Sequence, residues 1–318
     1  GLQIAMPTLY PSPGPVAVVA QSGNVALSIT RTCEEHGFGI SRYISSGNEA
    51  VLHSEDYLQY LADDPNTRVI LGYIEGLGGG RRFYDIAAAV TRKKPVILLK
   101  AGGTDAGAQA ARSHTASLAG TDAVVEGAFR QSGIIRAGEL EHVTTIGLGM
   151  IDQPLPSGRR IGIVTGGGGW GVLAADACAR AGLEVAALPP QTIARLDAFL
   201  PAWWNRGNPV DLVAGLRGDH LFRSLECLLQ CDAVDGVILL GIMPALSLRP
   251  LPDTAPEAER RERFDAILER IEGVFRGIAE TARNYGKPVV TASELPFSGG
   301  GIDADMRRTL GKNGHICH

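Results

Sequence analysis

Residues 14–24 read Gly14-Pro15-Val16-Ala17-Val18-Val19-Ala20-Gln21-Ser22-Gly23-Asn24, and this stretch decides the fold. The apolar run from Val16 to Ala20 predicts a buried strand, and the polar turn after it predicts a helix that runs to about Glu35. A strand that passes through a short turn into a helix is the repeating unit of a parallel sheet. The rest of the chain repeats this unit.

Apolar runs and segments with helical periodicity alternate in two rounds along the 318 residues. The predicted strands cover residues 16–20, 40–45, 69–74, 95–100 and 134–135, then 161–165, 184–188, 236–242 and 288–292. The predicted helices between them include residues 54–62, 81–92, 140–150, 170–180, 191–199, 220–229 and an amphipathic one over 257–283. We therefore expect an α/β protein with two flavodoxin-like, three-layer αβα domains and parallel sheets.

The proline-rich stretch Pro154-Leu155-Pro156-Ser157-Gly158 separates the two rounds and predicts a linker. The predicted domains are residues 15–152 and 159–318, with residues 153–158 as the linker and residues 1–14 as a lead-in. His315-Ile316-Cys317-His318 predicts a further strand that begins just as the chain stops, so we expect the second domain to be truncated. The chain is then a piece of a longer polypeptide or one subunit of a complex.

Composition excludes several classes of protein. The net charge is -4 without a basic run, which makes nucleic acid an unlikely partner. The five cysteines are scattered and odd in number, which argues against a disulfide framework; Cys227 and Cys231, one helical turn apart, favour core packing over a metal site. No apolar run reaches the roughly 18 residues of a membrane span and no signal peptide opens the chain, so we expect a soluble, cytoplasmic protein.

His114 is the leading candidate for a chemical role. It lies in a stretch from Ala101 to Thr121 in which all but five positions are Gly, Ala, Ser or Thr, which predicts a surface loop with a mobile backbone. An imidazole there can act as a base, a metal ligand or a nucleophile. The alternative is an ordinary solvated histidine.

Two predicted strand-to-helix turns offer backbone N–H groups and the positive end of a helix dipole to an anion. The first is Ser22-Gly23-Asn24, where Ser and Asn are also common helix caps. The second is the glycine run Gly166 to Gly169, which favours an anion-binding turn over tight packing of helix on strand. The run also fits a dinucleotide fingerprint, but the next strand ends in Leu188-Pro189-Pro190 without the acid that would bind a ribose.

Two such turns and a loop histidine together favour a phosphoryl site. A phosphohistidine carries about two negative charges and needs donors for its oxygens and a group that fixes the tautomer of the ring. Glu75, at the carboxyl end of the third predicted strand, is the candidate for that group. The alternative role for Glu75 is a helix cap.

Six stretches together resemble one known family, the nucleoside-diphosphate-forming acyl-CoA synthetases related to succinyl-CoA synthetase. They are residues 14–23, 46–50 (Ser-Gly-Asn-Glu-Ala), 73–76 (Tyr-Ile-Glu-Gly), 94–100, 113–120 (Ser-His-Thr-Ala-Ser-Leu-Ala-Gly) and 208–212 (Asn-Pro-Val-Asp-Leu). The family often has Gly where Ala116 stands.

The resemblance implies that His114 is phosphorylated during turnover and that Glu75 orients its ring. It implies that two helix N-termini hold the phosphate, one with Ser22, Gly23 and Asn24, the other with Gly167, Gly168 and Gly169. The implied cofactors are CoA, ATP or ADP with magnesium, and phosphate; the implied partners are a small carboxylic acid or its acyl-CoA, and CoA-binding and ATP-grasp domains or subunits outside this chain. Residues 1–14 then resemble the tail of the CoA-binding domain, and a homo- or hetero-oligomer is expected.

Two other functions compete with an acid–CoA ligase that works through an acyl phosphate. The first is a regulatory, ligand-sensing scaffold of a protein acetyltransferase, in which the loop histidine is often lost; the presence of both His114 and Glu75 favours catalysis. The second is a non-catalytic module that binds CoA or a dinucleotide.

Overall fold

The computed structural model describes residues 10–107, 109, 121–151, 153–212, 219–241 and 254–292. Within the last helix, nothing is described of the side chains at positions 264 and 268. The chain divides into two compact units, residues 1–151 and residues 152–318, and each is described by itself.

The first unit is a five-stranded sheet with helices on both faces. Its elements in chain order are β1 (Pro13–Ala20), α1 (Gly23–Glu35), β2 (Ile40–Ser45), α2 (Ser54–Ala62), β3 (Val69–Ile74), α3 (Gly80–Val90), β4 (Val96–Lys100), α4 (Asp122–Ser132), β5 (Ile135–Ala137) and α5 (Leu140–Gly149). The strand order is β2-β1-β3-β4-β5, and every neighbouring pair is parallel. This is the flavodoxin-like order, and the predicted fold class is confirmed.

Burial explains why the sequence forms this sheet. From Val16 to Ala20 the residues of β1 are at most 2% exposed, as expected for a central strand covered on both faces. Helices α2, α3 and α4 bury Leu58, Phe83 and Phe129 in one cluster with alternate residues of the strands. Helices α1 and α5 contact each other and β3 and bury their own apolar residues.

The second unit repeats the pattern with shorter strands. Its elements are β6 (Arg160–Thr165), α6 (Gly168–Arg180), β7 (Glu184–Val185), α7 (Pro190–Asp197), β8 (Val210–Asp211), α8 (His220–Leu229), β9 (Gly236–Leu240), α9 (Glu257–Tyr285) and β10 (Val289–Ala292). The order is β10-β9-β6-β7, with β8 also paired to β6, and all pairs are parallel.

The core of the second unit confirms two predictions. The apolar stripe of α9 is buried, with Ile267, Ile271 and Phe275 each 1% exposed. Cys227 and Cys231 lie in the same cluster of buried residues and act as small apolar side chains.

Two strands of the second unit differ from the prediction. The strand predicted over residues 184–188 ends at Val185, and β8 lies at Val210–Asp211, where no strand was predicted. Asn208 explains both differences: its Oδ1 accepts from Ile163 N at 2.8 Å, while its Nδ2 donates to Ile161 O at 2.8 Å and to Ala186 O at 2.9 Å. One side chain thus replaces a stretch of backbone pairing along β6, between the segments that pair with β7 and β8.

Among the described residues, no helix is both long enough and apolar enough to cross a membrane.

Candidate functional site

Polar side chains gather at the carboxyl edge of the first sheet. Gln21 and Ser22 follow β1, Glu75 follows β3, and Lys100 is the last residue of β4. Because β1, β3 and β4 are adjacent parallel strands, these residues share one edge of the sheet. Ligands of open parallel sheets bind at this edge.

Glu75 is buried in this edge, with 5% of its surface exposed. It does not cap the next helix, because α3 begins at Gly80 and its N-cap is Gly79. Tyr73 lies two residues earlier, where side chains of an extended strand point to the same face as that of Glu75. Burial, the negative charge of Glu75 and hydrogen bonding to it raise the pKa of Tyr73 to about 12. The tyrosine therefore stays protonated at physiological pH and can donate to the carboxylate.

The backbone of Glu75 is held by two side chains that the sequence analysis missed. Gln21 Oε1 accepts from Glu75 N at 2.6 Å and from Gly76 N at 3.1 Å, and Gln21 Nε2 donates to Gly76 O at 2.9 Å. Lys100 Nζ donates to Glu75 O at 2.7 Å. The sequence offered one indication of Gln21 and Lys100, because each is a polar residue at the end of an apolar strand.

The first turn of α1 has the features expected of an anion site. Ser22 is the N-cap of the helix, and its Oγ lies 3.5 Å from the N–H of Val25. Gly23 and Asn24 are exposed, and in the part of the chain that the structure describes their N–H groups have no acceptor. The capping role of Ser22 thus leaves two backbone donors available at the positive end of the helix.

Glu49 is a further polar residue at this edge, in the segment after β2. It is 9% exposed, has a left-handed backbone with φ 54°, and accepts from Ser46 Oγ at 2.8 Å and from Ser54 Oγ. A buried carboxylate with two hydroxyl donors is a satisfied group. We therefore assign Glu49 a structural role, in which it stabilises the conformation of this segment.

His114 lies outside the described residues, so its predicted role stays a prediction. The ends of its segment are described: β4 ends at Lys100, and α4 begins at Asp122. Arg136, on β5, forms a two-pronged ion pair with Asp122 at 2.6 Å and 3.1 Å, which holds the pKa of Asp122 below its usual range. The segment therefore starts and finishes at fixed points on the carboxyl edge, and Lys100 ties its start to Glu75.

The glycines of the turn between β6 and α6 have different structural roles. Gly167 is the N-cap of α6 and bonds through its N–H to Thr165 Oγ1 at 3.1 Å. A Cβ on Gly168 would lie 2.8 Å from Asp211 Oδ2, and one on Gly171 would lie 3.0 Å from Pro209 Cβ. Gly171 therefore serves close packing, whereas Gly168 lets a carboxylate reach the first turn of the helix.

Asp211 changes the electrostatics of that turn. A carboxylate at a helix N-terminus stabilises the helix, but it also repels a second anion there. The sequence analysis quoted Asp211 as part of a motif and gave it no function. A phosphate at Gly167, Gly168 and Gly169, and one shared with the first unit, stay predictions.

Within the described ranges there is no group of three or more His, Cys, Asp or Glu side chains that could hold a metal ion.

Comparison with known proteins supports both units. Residues 13–147 match the succinyl-CoA ligase like flavodoxin domain, and residues 161–241 match the Ligase-CoA domain. The chain is 38% identical over 302 residues to the acetate–CoA ligase [ADP-forming] II subunit alpha of Pyrococcus furiosus, covering 95% of this chain and 61% of that protein. It is 40% identical over 230 residues to the acetate–CoA ligase [ADP-forming] I of Archaeoglobus fulgidus, covering 72% of this chain and 33% of that protein.

A solved structure gives the same result. The dinucleotide forming acetyl-coenzyme A synthetase 1 of Ca. Korarchaeum cryptofilum, in complex with phosphate and ADP, superposes with a TM-score of 0.76 at 31% identity. The match covers 96% of this chain and 61% of that one. The chain thus spans about three fifths of the length of this synthetase and of the Pyrococcus furiosus subunit, and its match spans one third of the Archaeoglobus fulgidus protein. Fold, domain matches and identity agree: the chain belongs to the family of ADP-forming acyl-CoA synthetases with succinyl-CoA ligase-like domains.

Proposed function

We propose that this chain is the phosphohistidine-bearing part of an ADP-forming acid–CoA ligase. The observation that carries the proposal is the buried Glu75 at the carboxyl edge of the first sheet, beside the strand β4 from which the His114 segment departs. Two relatives are named as ADP-forming acetate–CoA ligases, and a third protein, the dinucleotide forming acetyl-coenzyme A synthetase, was solved with phosphate and ADP.

The proposed reaction proceeds in three reversible steps. Phosphate attacks the acyl carbon of acyl-CoA and displaces the CoA thiolate, which gives an acyl phosphate. A nitrogen of the His114 ring then attacks the phosphorus of the acyl phosphate and releases the carboxylate. Finally, the terminal oxygen of ADP attacks the phosphohistidine, which gives ATP and regenerates the ring. The acid is proposed as a class, a small carboxylic acid.

Each described residue has a role that its geometry can support. The Glu75 carboxylate accepts a hydrogen bond from one ring nitrogen of His114, so that the other nitrogen carries the lone pair that attacks phosphorus. The free N–H groups of Gly23 and Asn24 bind phosphate oxygens at the N-terminus of α1. The turn at Gly167 to Gly169 supplies a second helix N-terminus, at which Asp211 must be accommodated.

The bound nucleotide and CoA supply the phosphoryl acceptor and the thiol. We propose that both bind mainly to ATP-grasp and CoA-binding parts outside this chain, in the same polypeptide or in a partner subunit. Magnesium is proposed to arrive with the nucleotide, because Mg²⁺ binds mainly through phosphate oxygens and water.

The experiment is phosphoryl labelling of the protein together with its nucleotide- and CoA-binding parts. Incubation with ATP labelled on the γ-phosphate and magnesium should give one acid-labile, base-stable phosphoramidate. His114→Ala should abolish the label, while His114→Asn should also lack it and keep the fold. His142→Ala is the matched control, because His142 is exposed on α5, and it should be labelled normally. Label that persists in His114→Ala overturns the proposal.

A further inference from the structure

Lys100 is a buried cation that the proposed function does not use. It is 7% exposed, and its Nζ donates to the carbonyl oxygens of Glu75, at 2.7 Å, and of Ala101. Burial lowers the pKa of Lys100, while the charges of Asp122 and Glu75 act in the opposite direction. A desolvated lysine whose hydrogen bonds, within the described residues, go to carbonyl groups is costly, which points to a specific use.

The position of Lys100 indicates what that use is. Strand β3 lies between β1 and β4, so Gln21 and Lys100 approach Glu75 from opposite sides. Gln21 accepts from the N–H of Glu75, and Lys100 donates to its carbonyl oxygen. Both backbone polar groups of Glu75 are therefore bound by side chains, at a point where the strand has ended and ladder pairing no longer holds it.

The side chain of Glu75 has a donor available as well. The protonated hydroxyl of Tyr73 can donate to its carboxylate, as described above. Lys100 also binds the carbonyl of Ala101, the first residue after β4 on the way to His114. One ammonium group thus fixes both Glu75 and the start of the His114 segment.

We propose that Lys100 and Gln21 are positioning residues for the phosphohistidine step, because they fix the peptide of Glu75 from two sides and so aim its carboxylate at His114. This inference rests on the proposed function and deepens it. Neither residue touches the reacting atoms. They act through Glu75, whose placement must be accurate because misplacement of about 1 Å costs about a hundredfold in rate.

The test compares Lys100→Met with a matched variant at the other end of the same strand. Lys94 Nζ also donates to two carbonyl oxygens, those of Leu61 at 2.7 Å and Asp64 at 2.6 Å, and burial lowers the pKa of Lys94 too. Lys94→Met therefore removes an equivalent pair of bonds at the amino edge. The measurement is the single-turnover rate of phosphoramidate formation on the protein together with its nucleotide- and CoA-binding parts.

Lys100→Met should slow labelling about 10- to 100-fold, and Lys94→Met should leave the rate within about twofold of the wild type. Lys100→Arg, which keeps the charge and the donors, should recover part of the rate. Gln21→Leu tests the other side of Glu75 independently, should Lys100→Met fail to fold, and should also slow labelling.

A spectroscopic measurement separates positioning from general loss of structure. In the wild type, the ring nitrogens of His114 should show one dominant tautomer by ¹⁵N NMR, and Lys100→Met should show a mixture of two. If Lys100→Met and Gln21→Leu label at the wild-type rate while Glu75→Gln does not, the positioning role is wrong and the proposed function survives. If the wild type carries no label on His114, the proposed function itself is wrong.

Discussion

Replacing Asp211 by Asn removes a negative charge from the first turn of α6. The carboxylate is near enough that a Cβ on Gly168 would lie 2.8 Å from its Oδ2, so it faces the helix N-terminus where a phosphate is predicted. Asn keeps the size of the side chain. The substitution therefore removes the negative charge without changing the volume of the side chain.

The expected effect follows from Coulomb's law. A phosphate bound to the N–H groups of Gly168 and Gly169 would lie on the order of 5 Å from the carboxylate, since hydrogen bonds are about 3 Å long. At that distance two unit charges repel by about 0.8 kcal/mol in water, and a dianion is repelled by about twice as much. Asp211→Asn should thus tighten phosphate binding about 4- to 17-fold. It should also lower the free energy of unfolding by about 0.3–1 kcal/mol, because a stabilising charge at the helix end is lost.

The assay is thermal unfolding during a phosphate titration at constant ionic strength. Asp211→Asn should unfold at a lower temperature without phosphate and gain more from phosphate than the wild type does. Asp219→Asn is the control, since Asp219 is the N-cap of α8 and makes no capping hydrogen bond with its side chain. It should not alter the response to phosphate. If Asp211→Asn weakens that response, then Asp211 assists anion binding and the repulsion argument is wrong.

Two further predictions concern the stability of the units. Arg160 donates to Asp235 from its side chain and its backbone, and this holds the pKa of Asp235 well below its usual range. The stabilisation is therefore present above about pH 4 and is lost as the pH falls. Asp235→Asn should make the stability of the second unit depend less on pH in acid. Phe129 is fully buried in α4, with its ring 6.0 Å from that of Phe83, and Phe129→Ala should cost about 3–5 kcal/mol by denaturant titration of the first unit. Val124→Ala, on an exposed position of the same helix, should change that value by less than about 0.5 kcal/mol.

Most of the fold could be predicted from the sequence because parallel strands buried on both faces are continuous apolar runs. Strand β3 and helix α2 begin and end at the predicted residues, and β2 does as well. The prediction failed where one side chain replaces backbone pairing. Nothing in the local pattern shows that Asn208 bonds to three backbone groups of two strands, and so shortens β7 and leaves room for β8.

The candidate site, like the fold, was predicted from the sequence only in part. The sequence predicted Glu75, because an acid that ends an apolar strand lies at the ligand-binding edge of a parallel sheet. It did not identify Gln21, Lys100 and Asp211 as parts of a site, because each acts on a group that is distant in the sequence. Lys100 binds a carbonyl 25 residues away, and Gln21 binds N–H groups 54 and 55 residues away.

The order of apolar runs and turns, by itself, determined two parallel αβα domains and helices that begin directly after short turns rich in Ser and Gly; the exposed position of His114 stays a prediction. These properties are local, because periodicity, capping and small-residue content act over a few residues. Only the tertiary structure decided that side chains bind the backbone N–H and carbonyl groups of Glu75, and that the carboxylate of Asp211 lies at the start of α6. Both depend on which strands become neighbours, and strand order brings together residues that the linear sequence keeps apart.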